Sequence, residues 1–330
     1  MRNPAETDLL AALTVILALA PTFAPADEAA QEDPQPWTLR RPAPNEDANW
    51  PTASAGARRT PDADPLHAND WQCRPDSVHP EPVVLVHGTW QNAYITWNGL
   101  APILAAHGYC VFAVNYGNTT GKPGLNATGD LISSAREIAG FVAKVRKATG
   151  AEHVALIGHS QGGAQIRYYA NLLAPAGEVT KVIALTASNH PTTLSNLAIL
   201  GEKFGIKDYV FDRLSLAQMP GAVQQAQPES SFYVHLNGRG ETRSGIAYTN
   251  IATRLDEVIT PWTGAFIIPA PGDTVDNIVL QDVCKNDLSD HASVTYSKNV
   301  AQIVLNKLDP GHPHRINCFF QEPIVGSTRQ

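Results

Sequence analysis

The sequence has no C-x-x-C pair, no excess of basic residues, no internal repeat and no apolar run long enough to cross a bilayer. Each absence removes a class of function. Four cysteines, Cys73, Cys110, Cys284 and Cys318, stand far apart in the chain, so zinc sites and thioredoxin-type chemistry lack the ligand pair they need. Lys and Arg total 24 against 31 Asp and Glu, a net charge of −7. Nucleic-acid binding needs the opposite balance, so nucleic acid is not an expected partner. No period of about 20–50 residues recurs, which argues against solenoids and propellers. With 17% charged and 43% hydrophobic residues, the chain is no disordered tail, fibre or polytopic membrane protein. No oxygen-rich loop of calcium ligands is recognisable, and neither a metal nor an organic cofactor is expected.

What is present begins with a 12-residue apolar stretch, Leu9 to Ala20. It is shorter than the ~20 residues a membrane-spanning helix needs, and has the length of a signal-peptide core. Ala24-Pro25-Ala26 supplies an A-x-A cleavage signal, so residues 1–26 read as a signal peptide and the protein as secreted. The flank holds one basic residue, Arg2, beside Glu6 and Asp8, and an amphipathic helix on a cytoplasmic protein is the alternative. Residues 27–65 are crowded with proline and poor in large aliphatics. Such a stretch buries too little apolar area to offset its ordering entropy, so it reads as a flexible arm. A folded domain is expected over residues 66–325.

An even cysteine count in an exported chain suggests two disulfides, and four cysteines allow three pairings. Cys73–Cys110 with Cys284–Cys318 closes two loops of similar length, worth roughly 3–4 kcal/mol each in the chain-entropy model. Four buried free thiols are the alternative.

Within the domain, short apolar runs alternate with helical patterns. Val83–Val86, Cys110–Val114, Val154–Ile157, Val182–Leu185, Ile246–Ile251 and Ile278–Leu280 read as strands. The first four are nearly continuous apolar runs, as parallel strands buried on both faces require. Asp130–Thr149, Gly162–Leu173 and Ser293–Leu308 read as helices. Strand–helix alternation of this kind predicts an α/β fold, a mostly parallel sheet of about six strands flanked by helices. Residues 189–243 interrupt the rhythm with apolar helical pieces at Leu194–Leu200 and Phe204–Leu216, and read as an inserted cap or lid.

Gly158-His159-Ser160-Gln161-Gly162 fits G-x-S-x-G. Roughly 0.1 such matches are expected by chance at this composition, so its weight comes from context. The apolar run Val154–Ile157 leads in and a helix leads out, the strand–turn–helix of a nucleophile elbow. A serine hydroxyl needs a histidine to take its proton and a carboxylate to orient that histidine, in the chain order Ser, Asp/Glu, His. Of eleven histidines, His291, His312 and His314 follow the last expected strand. His312 and His314 lie in a proline-broken tail, so His291 is the candidate base. The candidate acids are Asp256, Glu257, Asp273, Asp276, Asp282, Asp287 and Asp290. Asp256 comes five residues after Ile251, where the loop leaves the sheet on the edge that carries Ser160, and is preferred. Asp290 adjoins His291, but neighbouring side chains point apart, and Asp273 and Asp276 fall in a proline–glycine turn. An oxyanion hole requires backbone N–H groups from the residue after the nucleophile, Gln161, and from the loop after an early strand, Thr89, whose hydroxyl could add a third donor.

PVVLVHGTW, IGHSQGGAQ, RLDEVITPW and DHASVTY together resemble the secreted bacterial class 2 lipases of the α/β-hydrolase superfamily, from about Asn69 to Cys318. Thr89 and Ser160-Gln161-Gly162-Gly163, with cysteines before the first strand and near the second, are also similar to fungal lipase B. The resemblance implies hydrolysis of acylglycerols and other carboxylic esters, with Ser160, Asp256 and His291 catalytic and Thr89 and Gln161 at the oxyanion. It implies an ester or lipid substrate, met at a lipid–water interface, and no obligate protein partner. Short-chain or polyester hydrolysis shares every one of these residues. Acyl transfer to another alcohol, and a non-catalytic binding protein on the same scaffold, are further alternatives.

Overall fold

The computed structural model describes residues 35–36, 49–193, 196, 202–203 and 218–326. The expected signal segment and most of the 27–48 stretch lie outside these residues, as do the helical pieces expected in the cap, apart from Asn196.

Six strands form one sheet: β1 (Val83–Val86), β2 (Val111–Val114), β3 (Val154–His159), β4 (Val179–Leu185), β5 (Ala247–Ala252) and β6 (Thr274–Val279). Their spatial order is β2-β1-β3-β4-β5-β6, and every neighbouring pair is parallel. Successive side chains on a strand point to opposite faces, which explains the unbroken apolar runs. Val83, Leu85, Ala155, Ile157, Ile183 and Leu185 pack on one face with Trp97, Leu104, Val304 and Leu305. Val84, Val86, Phe112, Leu156 and Val182 pack on the other with Ile138, Val142 and Val145. Leu156 is fully buried, and its truncation to alanine would cost about 2–5 kcal/mol.

The helices follow from local signals. After α1 (Trp50–Arg59), α2 (Ala93–Trp97) and α3 (Leu100–Ala106), the long α4 (Leu131–Thr149) is capped by Asp130, whose side chain accepts from Ser133 N. Ile138, Val142 and Val145 recur at helical spacing and turn one stripe of α4 onto the sheet. α5 (Gln161–Tyr168) begins directly after Ser160 and passes into a wider turn over Tyr169–Leu173.

Beyond shifts of one to three residues at other strand and helix ends, three elements differ from the sequence reading. The stretch expected to be a flexible arm holds α1, with Asn49 as its cap and Trp50, Ala53 and Ala57 buried among Trp90, Leu125, Met219 and Ile259. Its one proline, Pro51, sits in the first turn, where the missing N–H has no acceptor to lose. The last strand runs over Thr274–Val279, and Leu280 instead starts a short helix. The helix expected from Ser293 opens as a 3-10 turn, Ser293–Tyr296, and becomes α-helical at Lys298–Leu308 under a cap from Ser297.

Cys73 is bonded to Cys110 and Cys284 to Cys318, with Cα separations of 5.7 and 5.3 Å. The first joins the loop before β1 to the start of β2. The second ties the segment after β6 to the C-terminal tail.

Candidate active site

Ser160 is the hinge between β3 and α5. Its backbone sits at φ 56° and ψ −124°, a conformation that costs of order 1–3 kcal/mol for a side-chain-bearing residue. Three bonds hold it there: Ser160 N donates to Leu185 O at 3.0 Å, and Ser160 O accepts from Gly163 N at 3.0 Å and Ser188 N at 3.1 Å. The flanking glycines are required by close approach. A Cβ on Gly158 would lie 2.4 Å from Gly162 O, and one on Gly162 would lie 2.1 Å from Val86 O. A side chain at Gly158 would push the start of α5 off β3, and one at Gly162 would push it off the end of β1.

Two later loops bring their side chains to this serine. His291, on the loop after β6, places Nε2 3.0 Å from Ser160 Oγ. Its Nδ1 lies 3.0 Å from both carboxylate oxygens of Asp256, in the loop after β5. Asp256 Oδ1 is itself fixed, accepting from Val258 N at 2.9 Å and Ile259 N at 2.8 Å. Ser160, Asp256 and His291 are all buried. Burial by itself would lower the His291 pKa, but the charge and hydrogen bond of Asp256, with Glu257 and Asp290 beyond, outweigh it and hold the pKa above its ordinary value.

The loop after β1 closes the other side. Gly88 passes so near that a Cβ there would sit 2.8 Å from Ser160 Cβ, which brings Thr89 beside Ser160. Thr89 Oγ1 accepts from Gln161 Nε2 at 3.1 Å and from Gln225 Nε2 at 3.0 Å. The hydroxyl's own hydrogen has an acceptor in Gln225 Oε1, at 3.2 Å. Gln161 N is the first amide of α5 and has no intrahelical acceptor. Tyr116 OH locks the same corner, donating to His87 O at 2.8 Å and lying 3.1 Å from Gln161 Oε1.

Sequence reasoning missed Gln225 and Lys203. Gln225 ends the helix Pro220–Gln225 of the insertion, and it is buried. Lys203 Nζ lies 2.5 Å from Glu257 Oε1 and 2.5 Å from Asp290 Oδ2. No motif marks either residue, because each reaches the site only through long-range packing.

The other named residues lie elsewhere. Asp290 turns away from the His291 ring to Lys203 and to Ser293, whose N and Oγ donate to its Oδ1 at 2.9 and 2.7 Å. Asp276, expected in a turn, stands on β6 and pairs with Lys307 at 2.7 Å. Asp273 accepts from Thr242 Oγ1, and Asp282 pairs with Arg254 at the surface. Asp287 is buried against Ser297 and Asn299. His312 pairs with Asp309 on the exposed tail, and His314 N donates to Asn306.

Over 94 residues the chain is 37% identical to a triacylglycerol lipase of Pseudarthrobacter phenanthrenivorans, covering 27% of this chain and 28% of that protein. It is also 37% identical over 94 residues to a triacylglycerol lipase of Burkholderia plantarii, covering 27% of this chain and 25% of that one. The chain thus aligns with little more than a quarter of the length of these relatives. Among solved structures, a monoacylglycerol lipase of Paleococcus ferrophilus is similar at 14% identity and a TM-score of 0.49, over 71% of this chain and 95% of that one. A Bacillus licheniformis lipase is similar at 17% identity and a TM-score of 0.42, over 71% and 94%. Residues 80–303, which carry the Thr89 loop, the Ser160 elbow and the Asp256 and His291 loops, match the class 2 lipase family, and the chain belongs to it.

Proposed function

We propose that the protein is a serine ester hydrolase that cleaves acylglycerols or other carboxylic esters through an acyl-enzyme. The observation that carries this reading is the line Ser160 Oγ, His291 Nε2, His291 Nδ1, Asp256, with each separation 3.0 Å. A serine at neutral pH is a weak nucleophile, and an adjacent general base held in one tautomer is what activates it. Asp256 binds Nδ1–H, which leaves the Nε2 lone pair facing Ser160.

In the first half-reaction Ser160 Oγ attacks the ester carbonyl carbon as His291 Nε2 takes its proton. The carbonyl oxygen becomes an oxyanion, met by Thr89 N–H and Gln161 N–H, with the Thr89 hydroxyl a third donor once it turns from Gln225 Oε1. His291 then returns the proton to the departing alcohol oxygen, leaving an ester on Ser160. Water repeats the sequence and releases the acid. Preorganised donors act best where water is excluded, and the burial of all three groups supports that condition.

Two disulfides support synthesis for an oxidising compartment, in keeping with export. Initial rates on p-nitrophenyl esters from C2 to C16, with and without emulsified triolein, test the substrate class. Hydrolysis of emulsified triolein supports a lipase. Activity confined to soluble short esters makes the protein a carboxylesterase, and no activity on any ester contradicts the reading.

A further inference from the structure

Ser160 and His291 are 131 positions apart in sequence, and their contact depends on how the loop after β6 is held against the end of β3. One bond joins those two pieces of backbone. His159, the last residue of β3 and the one before the nucleophile, places its ring Nε2 2.7 Å from the main-chain carbonyl oxygen of His291. A carbonyl oxygen has no proton to give, so His159 is the donor and carries its hydrogen on Nε2. Both residues are fully buried, and the two rings lie 5.0 Å apart at 49°.

We propose that His159 is a positioning residue for ester hydrolysis: its Nε2–H anchors the backbone of His291 and thereby sets the reach of the imidazole to Ser160 Oγ. The proposal rests on the reading of Ser160 and His291 as nucleophile and base.

Three features make a buried imidazole suited to this position. It is rigid, with its donor fixed at the far end of a ring that grows from the same strand as the nucleophile. A displacement at the end of β3 therefore moves Ser160 and the anchor of His291 together. It also stays uncharged. Burial, followed by repulsion from His291 and His87, pushes its pKa to about 3, against opposing pulls from the bond to His291 O and, less, from Asp290. When His291 becomes an imidazolium during the reaction, it meets a neutral neighbour and not a second cation. Finally, the opposite nitrogen is left bare. His159 Nδ1 is buried with no hydrogen-bond partner among the described residues, as a lone pair and not a stranded donor. Gly88 leaves room for it, since a Cβ there would come within 3.2 Å of that nitrogen. A ring with Nδ1–H would bury an unpaired donor and lose the bond to His291, a double penalty that fixes the tautomer.

A bond that merely held the fold would show only in stability. An anchor for the base shows in turnover, because misplacing a catalytic group by about 1 Å costs on the order of 10²-fold. His159→Leu removes the donor and keeps an apolar side chain in the buried site. His159→Gln keeps an amide donor close to where Nε2 stands. Both are compared with wild type and Ser160→Ala on a p-nitrophenyl ester, at equal folded fraction judged by thermal melts. We expect His159→Leu to lower kcat at least ~10-fold with KM within about twofold of wild type, and His159→Gln to recover most of the loss. Wild-type kcat in His159→Leu, or His159→Gln as slow as His159→Leu, overturns the proposal. If His159→Leu does not fold, ¹⁵N NMR of the ring nitrogens of wild-type protein decides instead. The proposal predicts a neutral Nε2–H ring for His159 throughout the active pH range, and an Nδ1–H tautomer or an imidazolium there overturns it. Ser160→Ala separates the two levels. If it stays active, the reading of the nucleophile falls; if it is inactive while His159→Leu turns over normally, only the anchor falls.

Discussion

Lys203 and Asp290 form an ion pair of 2.5 Å, and Asp290 is the residue before His291. The same ammonium meets Glu257, the residue after Asp256. One cation from the insertion therefore neutralises the chain neighbours of both Asp256 and His291. Glu257 and Asp290 each raise the His291 pKa, so removing Lys203 leaves that pull uncompensated. His291 must be neutral to accept the serine proton, so kcat/KM climbs as pH rises through its pKa. Lys203→Met should shift this acid limb to higher pH, and Lys203→Arg should leave it in place. A pH profile of kcat/KM for the three proteins checks both statements. An acid limb that stays put or moves to lower pH in Lys203→Met contradicts them.

Asp256 and Asp290 should separate cleanly by substitution. Asp256→Asn keeps the shape but presents an amide to His291 Nδ1, favours the wrong tautomer, and should lower kcat by up to ~10⁴-fold. Asp290→Asn should instead weaken the fold, because Asp290 is buried and bonded to Lys203 and Ser293. Losing such buried partners costs about 1–3 kcal/mol. Thermal melts and turnover at equal folded fraction distinguish the two outcomes. Near-normal turnover in Asp256→Asn with collapse in Asp290→Asn would reverse the roles.

Much of this site was legible in the sequence, and the parts that were not share a cause. The elbow stood out because G-x-S-x-G needs glycines at fixed offsets and an apolar strand before it, both local features. Asp256 and His291 followed from chain order once strands were placed. Lys203 and Gln225 come from the insertion and touch the site through contacts that no short pattern encodes. β6 was misplaced because it is an edge strand, and Thr274, Asp276 and Asn277 interrupt its apolar signal. α1 was missed because the proline count around it concealed a short run of small residues behind a good cap, Asn49-Trp50-Pro51-Thr52-Ala53.

The disulfides should be visible in both chemistry and stability. A non-reducing peptide map of protein made in an oxidising host should join Cys73 to Cys110 and Cys284 to Cys318. Each bond closes a loop of more than thirty residues, and its loss should destabilise the protein by roughly 2–4 kcal/mol. Denaturant unfolding with and without reductant measures that loss. Four free thiols in such a preparation, or identical unfolding curves, contradict the expectation.

Gly162 offers a purely steric check on the elbow. Gly162→Ala would place a methyl group 2.1 Å from Val86 O, backbone that cannot yield without parting β1 from α5. The variant should be inactive and should melt at lower temperature than wild type, measured by calorimetry and ester hydrolysis. Wild-type activity in Gly162→Ala would mean that the turn is not as tight as these distances require.

The central claim is that all covalent chemistry passes through Ser160 Oγ. It is tested most directly by titrating the protein with an activated organophosphonate ester and mapping the adduct by mass spectrometry. One equivalent should abolish ester hydrolysis and appear on the peptide containing Ser160, while Ser160→Ala should take up no label and lose activity by several orders of magnitude. A stoichiometric adduct on a different serine, or full hydrolysis by Ser160→Ala, would contradict it.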